Sequence, residues 1–306
     1  MTTARSFVTI GVFDGVHRGH RALLDPLVAE ARSADAPPAV VTFEPHPARI
    51  VAPAHEPRLL TPGREKLRLL MEAGIERILL VRFDAAFSAM SAREFLERIL
   101  LVNFPRPKLF VGHDQRFGRG RQAGIDEIRA IASDLGFEVA QVPALTAGGT
   151  VVSSTAIRRA VEEADFVRAA EGLGRPYSFA GRVVRGAGRG ATLGFPTANL
   201  DLPPEQLLPP RGVYAGWAES EGPRRAAVAN LGVRPTFGED RLVVEVHVLD
   251  FAGDLTGRRF AFEPVERIRE ERKFSGVNEL IAAVHRDIEA ARSRLAGVPD
   301  AAEGPK

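Results

Sequence analysis

Two histidines three residues apart, His17 and His20, lie in the segment Gly11-Val12-Phe13-Asp14-Gly15-Val16-His17-Arg18-Gly19-His20. A strand-like run precedes the segment and a helical pattern follows it. Gly11 and Gly15 remove side chains where backbone must come close to a ligand. The start of a helix offers unpaired N–H groups and the positive end of a dipole, a natural place for an anion. The spacing puts both imidazoles on one helical face, and Gly19 between them leaves room for a bulky group. Such a pair can donate hydrogen bonds to phosphate oxygens as charge builds in a transition state. It can also be a pair of capping or packing histidines. A metal pair would need a carboxylate, and no neat third ligand stands nearby.

Four further segments could carry chemistry. In Val152-Ser153-Ser154-Thr155-Ala156-Ile157-Arg158-Arg159, hydroxyls lead into a helix with two arginines in its first turn. Serine or threonine there is commonly a cap, but arginine near a helix N-terminus opposes the dipole, and an anionic ligand would resolve the conflict. Gly112-His113-Asp114-Gln115-Arg116-Phe117-Gly118-Arg119-Gly120-Arg121 reads as a mobile, arginine-rich loop. Its glycines start too far past the strand for a dinucleotide fingerprint, and no lysine follows a glycine as a Walker loop requires. In Gly190-Ala191-Thr192-Leu193-Gly194-Phe195-Pro196-Thr197-Ala198-Asn199, the hydroxyl of Thr197 and the amide oxygen of Asn199, two residues apart, are hard ligands suited to Mg²⁺; a turn stabilised by Asn199 is the alternative. In Val243-Val244-Glu245-Val246-His247-Val248, period two sends the even-numbered valines one way and Glu245 and His247 the other. Glu245 is then either an exposed-face residue or a positioned base.

Two kinds of architecture must hold these residues. In the first half, β-rich runs at Ser6–Ile10, Ala39–Phe43, Arg77–Val81, Lys108–Val111 and Phe137–Val142 alternate with helical patterns. This predicts an α/β, Rossmann-like domain with a parallel sheet, binding ligands at the carboxyl ends of its strands. Leu23, Leu24, Leu27, Val28 and Ala31 share one helical face. Thr61-Pro62 reads as an N-cap with proline at the first helical position and Gly74 as the stop. Ser91 and Glu94 have capping-box spacing. In the second half, runs at Ser178–Arg185, Val213–Glu219, Arg224–Leu231, Leu242–Asp250 and Arg258–Arg269 are separated by Gly/Pro-rich turns. They predict an antiparallel sandwich or small barrel. A helix is expected over Val277 to Leu295, with one face on the barrel. The boundary falls near Glu171–Pro176, dividing the chain into residues 1–172 and 173–306.

Composition sets limits. The 306 residues are 45% hydrophobic and 26% charged, without cysteine. Disulfides, thiolate metal sites and a cysteine nucleophile are excluded, as is a chain disordered throughout. No run reaches the roughly 18 apolar residues of a membrane span. The net charge is +2, from 41 basic and 39 acidic residues, which does not suggest a nucleic-acid coat. Met1-Thr2-Thr3-Ala4-Arg5 lacks the features of a signal peptide, so a cytoplasmic protein is expected.

Taken together, these motifs closely resemble the bifunctional bacterial riboflavin kinase/FMN adenylyltransferase family. The resemblance covers nearly the whole chain. It rests on Gly11–His20, Thr42-Phe43-Glu44-Pro45-His46-Pro47, Gly112–Gly118, Ser153–Arg158, Gly174–Tyr177, Leu193–Asn199, Gly232–Gly238, Glu245–Phe251, and Arg269, Lys273 and Phe274. It implies a six-stranded C-terminal barrel with a helix, which would phosphorylate riboflavin to FMN. The N-terminal domain would then join FMN to the AMP part of a second ATP, giving FAD and pyrophosphate. By this resemblance Glu245 matches the kinase's general base. Gly194, Thr197 and Asn199 match its ATP positions, with Mg²⁺ on Thr197 and Asn199. Gly11, Phe13, Gly15, His17, His20, Ser153, Ser154, Thr155 and Arg158 match the adenylyltransferase's ATP positions, with His17 and His20 catalytic. Asp114, Arg116 and Phe117 match its flavin contacts.

The chain departs from the family pattern at Gln115 and Thr256, where aromatic residues are usual, and in Ala187–Ala191, which lacks an acid. The expected partners are ATP, riboflavin and FMN, with no nucleic acid or membrane; an oligomer is allowed but not required. The rivals are an adenylyltransferase for another acceptor and a non-enzymatic RNA-binding protein.

Overall fold

The alternation of apolar runs and helical patterns in the first half folds as a parallel sheet covered on both faces. The computed structural model describes residues 5–147, 149–186, 188–236 and 239–297. The chain divides into two compact units, Met1–Ala156 and Ile157–Lys306.

The first unit has strands β1 (Ser6–Ile10), β2 (Pro38–Glu44), β3 (Arg77–Arg82), β4 (Pro107–Gly112) and β5 (Glu138–Val142) in the order β3-β2-β1-β4-β5. All neighbours are parallel. Helices α1 (Arg18–Ser33) and α2 (Arg64–Glu72) meet one face, where Leu24, Leu27, Leu69 and Leu70 pack on Phe7 and Val40. A helical stretch beginning at Ala92 and α3 (Ile125–Leu135) meet the other, burying Leu96, Leu100, Ile128 and Ile131 against Val8, Ile10 and Val41. With both faces covered, strands carry apolar residues at consecutive positions, as β2 does. The strand order reverses between β1 and β4. Ligands are expected there, at the carboxyl ends of the strands.

Two local expectations fare differently. Ser91 and Glu94 form the capping box. Thr61, by contrast, does not cap α2, whose N-cap is Gly63 at φ 55°. Its hydroxyl accepts instead from the Gly15 amide at 2.8 Å. A tertiary bond to the histidine segment has outcompeted the local cap.

The second unit opens with α4 (Ser154–Glu162) running in from the first, and a helix at Phe166–Leu173. Six antiparallel strands follow: β6 (Phe179–Val184), β7 (Ala198–Asp201), β8 (Gly212–Glu219), β9 (Arg225–Thr236), β10 (Glu239–Val248) and β11 (Arg259–Arg269). They close as a barrel in the order β8-β9-β10-β7-β6-β11. Tyr214, Ala229, Val246, Phe260 and Phe262 are wholly buried. On the outer face, Val213, Ala215 and Val228 pack with Ile288, Ala291 and Leu295 of α5 (Val277–Leu295). Asn199 itself lies in β7. A four-residue helix at Arg189–Thr192 is a further element the sequence did not signal. Met1–Ala4, Gly148, Ala187, Phe237, Gly238 and Val298–Lys306 lie outside the described residues.

Candidate active sites

The first unit holds a cavity of about 800 Å³ at the carboxyl ends of β1 and β4. His17 is the N-cap of α1. Its Nδ1 accepts from the His20 amide, and the Nδ1 of His20 accepts from the His17 amide, each at 3.3 Å. The rings stack with centroids 3.6 Å apart, and Phe13 meets His20 edge-on at 5.2 Å. This reciprocal cap has a chemical consequence. A nitrogen that accepts a hydrogen bond carries no proton, so each neutral ring carries its proton on Nε2. The two histidines are therefore caps and cavity-lining residues at once, with Nε2 as the donor atom of each.

The loop is held from beneath. Asp14 is buried, and its carboxylate accepts from the Leu60 and Thr61 amides at 3.2 and 3.0 Å. Gly11 is required because a Cβ there would stand 2.9 Å from the Phe13 ring. The space beside Gly19, expected to admit a bulky group, is already filled. A Cβ there would stand 2.9 Å from the Val152 carbonyl oxygen and 3.1 Å from the His17 ring. Gly19 thus brings the serine-rich segment against the histidines. The Ser154 hydroxyl donates to the Asp14 carbonyl at 3.0 Å, and Ser153 Oγ accepts from the Ala156 amide at 3.3 Å as a cap.

Gly11, Phe13, His17, His20, Asp114, Arg116, Phe117, Ser153, Ser154 and Thr155 all line this cavity. Gly15 supports it from behind through Thr61, and Arg158 lies farther along α4, outside the lining. The arginine-rich loop is clasped at its neck, where Phe117 and Ala123 exchange backbone hydrogen bonds of 3.1 and 3.2 Å. Gln115 accepts from the Gly112 amide at 2.9 Å and donates to the Ile10 carbonyl. Its amide therefore ties β4 to β1 where the two strands part.

One wall was invisible in the sequence. Phe43, Phe83, Phe87, Phe95 and Phe117 all line the cavity, with successive ring centroids 5.3–6.0 Å apart. The Phe43 carbonyl accepts from the buried Lys66 ammonium at 2.9 Å. Burial holds that amine below the usual lysine range, with Glu44 and Asp14 opposing the shift.

The second unit holds a cavity of about 310 Å³ between the outer face of the barrel and the first turns of α5. Glu245 lines it, directly opposite Asn199 on β7 and Asn230 on β9. The even-numbered valines are buried, as the alternation predicts. His247 Nδ1 lies 2.8 Å from the Pro196 carbonyl oxygen, fixing the chain just before Thr197. Two glycines lie against Asn199 and Thr197. A Cβ on Gly186 would fall 2.2 Å from Asn199 Nδ2, and one on Gly190 would fall 3.2 Å from Thr197 Oγ1. Thr197 lines the cavity; Asn199 packs against Gly186 beside it. Gly194, at φ 87°, turns the chain after Leu193 and is not itself in the lining. The Thr256 amide donates to Asp254 Oδ1 at 2.8 Å in a turn outside the cavity.

Sequence reasoning did not single out Asn230 or the salt bridge at the far end. There Arg269 holds the buried Asp287 of α5 through contacts of 2.8–3.2 Å.

Comparison with known proteins agrees with both halves. Residues 1–156 match the family described as FAD synthetase, and residues 173–295 the family described as riboflavin kinase. The bifunctional riboflavin kinase/FMN adenylyltransferase of Escherichia coli (strain K12) is 42% identical over 289 residues, covering 93% of this chain and 91% of that one. The protein of the same description from Bacillus subtilis (strain 168) is 34% identical over 290 residues, covering 93% and 90%. A crystal structure from Streptococcus pneumoniae, described as a macrolide-efflux protein, superposes with a TM-score of 0.81 at 31% identity, over 95% of each chain. Among the described residues no helix is long and apolar enough to cross a membrane. With one catalytic family matched in each half and such identity along almost the full length, the chain belongs to the bifunctional riboflavin kinase/FMN adenylyltransferase family.

Proposed function

We propose that the chain makes FAD from riboflavin in two transfers, with a kinase in residues 173–306 and an adenylyltransferase in residues 1–172. The observation that carries this reading is that each unit holds a cavity lined by the chemical motif of its own matched family.

In the first transfer the 5′-hydroxyl of riboflavin attacks the γ-phosphorus of ATP, and Glu245 accepts the hydroxyl proton. ADP leaves and FMN remains. Thr197 and Asn199 are neutral oxygen donors in a glycine cradle, a set that fits Mg²⁺ keeping water and phosphate oxygens among its ligands. Bound there, Mg²⁺ would offset charge on the transferring phosphoryl group. Gly194 shapes the turn that leads the chain to these ligands. Positioning carries most of the acceleration, because a loose transition state leaves little covalent work to side chains.

In the second transfer the FMN phosphate is already an anionic nucleophile and needs no base. An oxygen of it attacks the α-phosphorus of ATP, and pyrophosphate leaves. His17 and His20 donate from Nε2 to the oxygens that gain charge. The N-terminus of α1 adds its dipole. Gly11, Phe13 and Gly15 shape this backbone. Ser153, Ser154, Thr155 and Arg158 hold the departing phosphates. Asp114, Arg116 and Phe117 contact FMN, and the phenylalanine wall suits a flat aromatic ring. Both steps draw on cytoplasmic ATP.

The test is product analysis after mixing the pure protein with riboflavin, ATP and magnesium. FMN and then FAD are expected. His17→Ala should stop FAD formation and leave FMN formation, and Glu245→Ala should do the reverse when FMN is supplied. Loss of both steps from either change in a folded protein would refute the division of labour.

A further inference from the structure

Across the outer face of the barrel a single row of side chains runs Val213 on β8, Asn230 on β9, Glu245 on β10 and Asn199 on β7, each directly opposite the next. The first three line the cavity. Neighbouring strands lie ~4.8 Å apart. Asn230 therefore stands one strand spacing from Glu245, and the apolar wall begins one spacing beyond it.

That wall is where β8 and β9 meet α5. Val213 and Val228 face Leu280, Ile281, Val284 and Ile288 across the cavity. A flat flavin ring belongs on this surface. Its 5′-hydroxyl must reach Glu245, so the ribityl chain between them crosses Asn230. The three secondary hydroxyls of that chain lose water as they enter, and a hydroxyl without a partner there is costly. An amide both donates and accepts, as a hydroxyl does.

Among the described residues lining the cavity, Asn230 and Thr197 alone carry a neutral amide or hydroxyl. Thr197 lies at the other flank, in the glycine cradle. Gly232, the next residue of β9 on the same face, keeps space clear around the amide. A Cβ there would stand 3.3 Å from Asn230 Nδ2 and 2.2 Å from Glu271 Oε1. Glu271 is itself held by the Val233 amide at 3.3 Å.

We infer that Asn230 reads the secondary hydroxyls of the ribityl chain and so selects a flavin that carries a polyol arm. This rests on the kinase reading above. It separates the row into an apolar seat, a polyol reader, a base and a metal ligand, in that order across four strands.

The test uses the full chain with riboflavin and its 2′-, 3′- and 4′-deoxy analogues. Asn230→Ala should raise KM for riboflavin at least tenfold, leave KM for ATP unchanged, and leave adenylylation of supplied FMN unchanged. One deoxy analogue should be as poor a substrate for the wild type as riboflavin is for the variant, and should lose nothing more in the variant. Asn230→Ser, smaller but still polar, should recover part of the riboflavin KM; it replaces the alanine variant if that fails to fold. A riboflavin KM within twofold of wild type, or equal further losses for all three analogues, would overturn the role of Asn230 alone. A wild-type chain that forms no FMN would overturn the kinase reading, and this inference with it.

Discussion

Replacing Gly19 by alanine should separate the two activities without replacing any group that takes part in either reaction. The added methyl would stand 2.9 Å from the Val152 carbonyl oxygen and 3.1 Å from Nδ1 and Cε1 of His17, where ordinary contact begins at 3.4 Å. Relief therefore needs a shift of about half an ångström in the Val152 backbone or the His17 ring. Overpacking of this kind costs about 1–3 kcal/mol. Alanine instead of glycine in a helix returns about 0.5–1 kcal/mol. The net loss of stability is then at most about 2.5 kcal/mol. Catalysis is less forgiving, because a misplacement of ~1 Å can cost ~100-fold. With half that displacement, FAD formation from FMN should fall by about 10-fold or more, while FMN formation from riboflavin stays at the wild-type rate. The assay follows both products by chromatography, with thermal melting as a check on the fold. FAD formation within twofold of wild type would refute the argument that Gly19 sets the distance between the serine-rich segment and the histidines.

Other consequences are equally open to measurement. Asp14→Ala leaves the Leu60 and Thr61 amides without the carboxylate they share, and should destabilise the first unit by about 2–4 kcal/mol in urea unfolding; a loss below about 0.5 kcal/mol would contradict its buried role. Tyr214 is raised by burial to about 12, while an unfolded tyrosine titrates near 10. Between these values the unfolded chain has released the proton that the folded chain retains, so stability should fall as pH rises from about 10 to about 12. Tyr214→Phe should flatten that slope, read by denaturant unfolding at pH 9 and pH 11, while losing about 1 kcal/mol at neutral pH with its hydrogen bond to the Pro210 carbonyl.

The parts legible in the sequence are those governed by short-range periodicity. Every strand-like run read from the sequence is a strand, and α5 spans Val277–Leu295 as its helical spacing indicates. Alternation alone sent Glu245 and His247 to the same side. The pairing of Glu245 with Asn199 could not be read, because register joins residues distant in the chain and no local pattern encodes it. The phenylalanine wall is hidden for the same reason. Its members come from β2, from the segments that follow β3 and β4, and from the helical stretch at Ala92, and each looks locally like ordinary core. Thr61 shows the opposite error. Its neighbours spell a cap, yet the Gly15 amide claims its oxygen. Gly19 was read as making room, and the room is occupied by backbone. In both cases a contact across the tertiary structure overrode a sound local rule.

Closure of the six strands into a cylinder also bears on how the two halves behave in a crowded cell. A rolled-up ladder offers no exposed rung, so a partly folded neighbour finds nothing on it to extend. The open five-stranded sheet must guard two flanks instead. It does so with charge: Arg77 and Arg82 sit at the ends of β3, and Glu138 begins β5. Neutralising those guards should promote clumping through the sheet, while the cylinder stays inert.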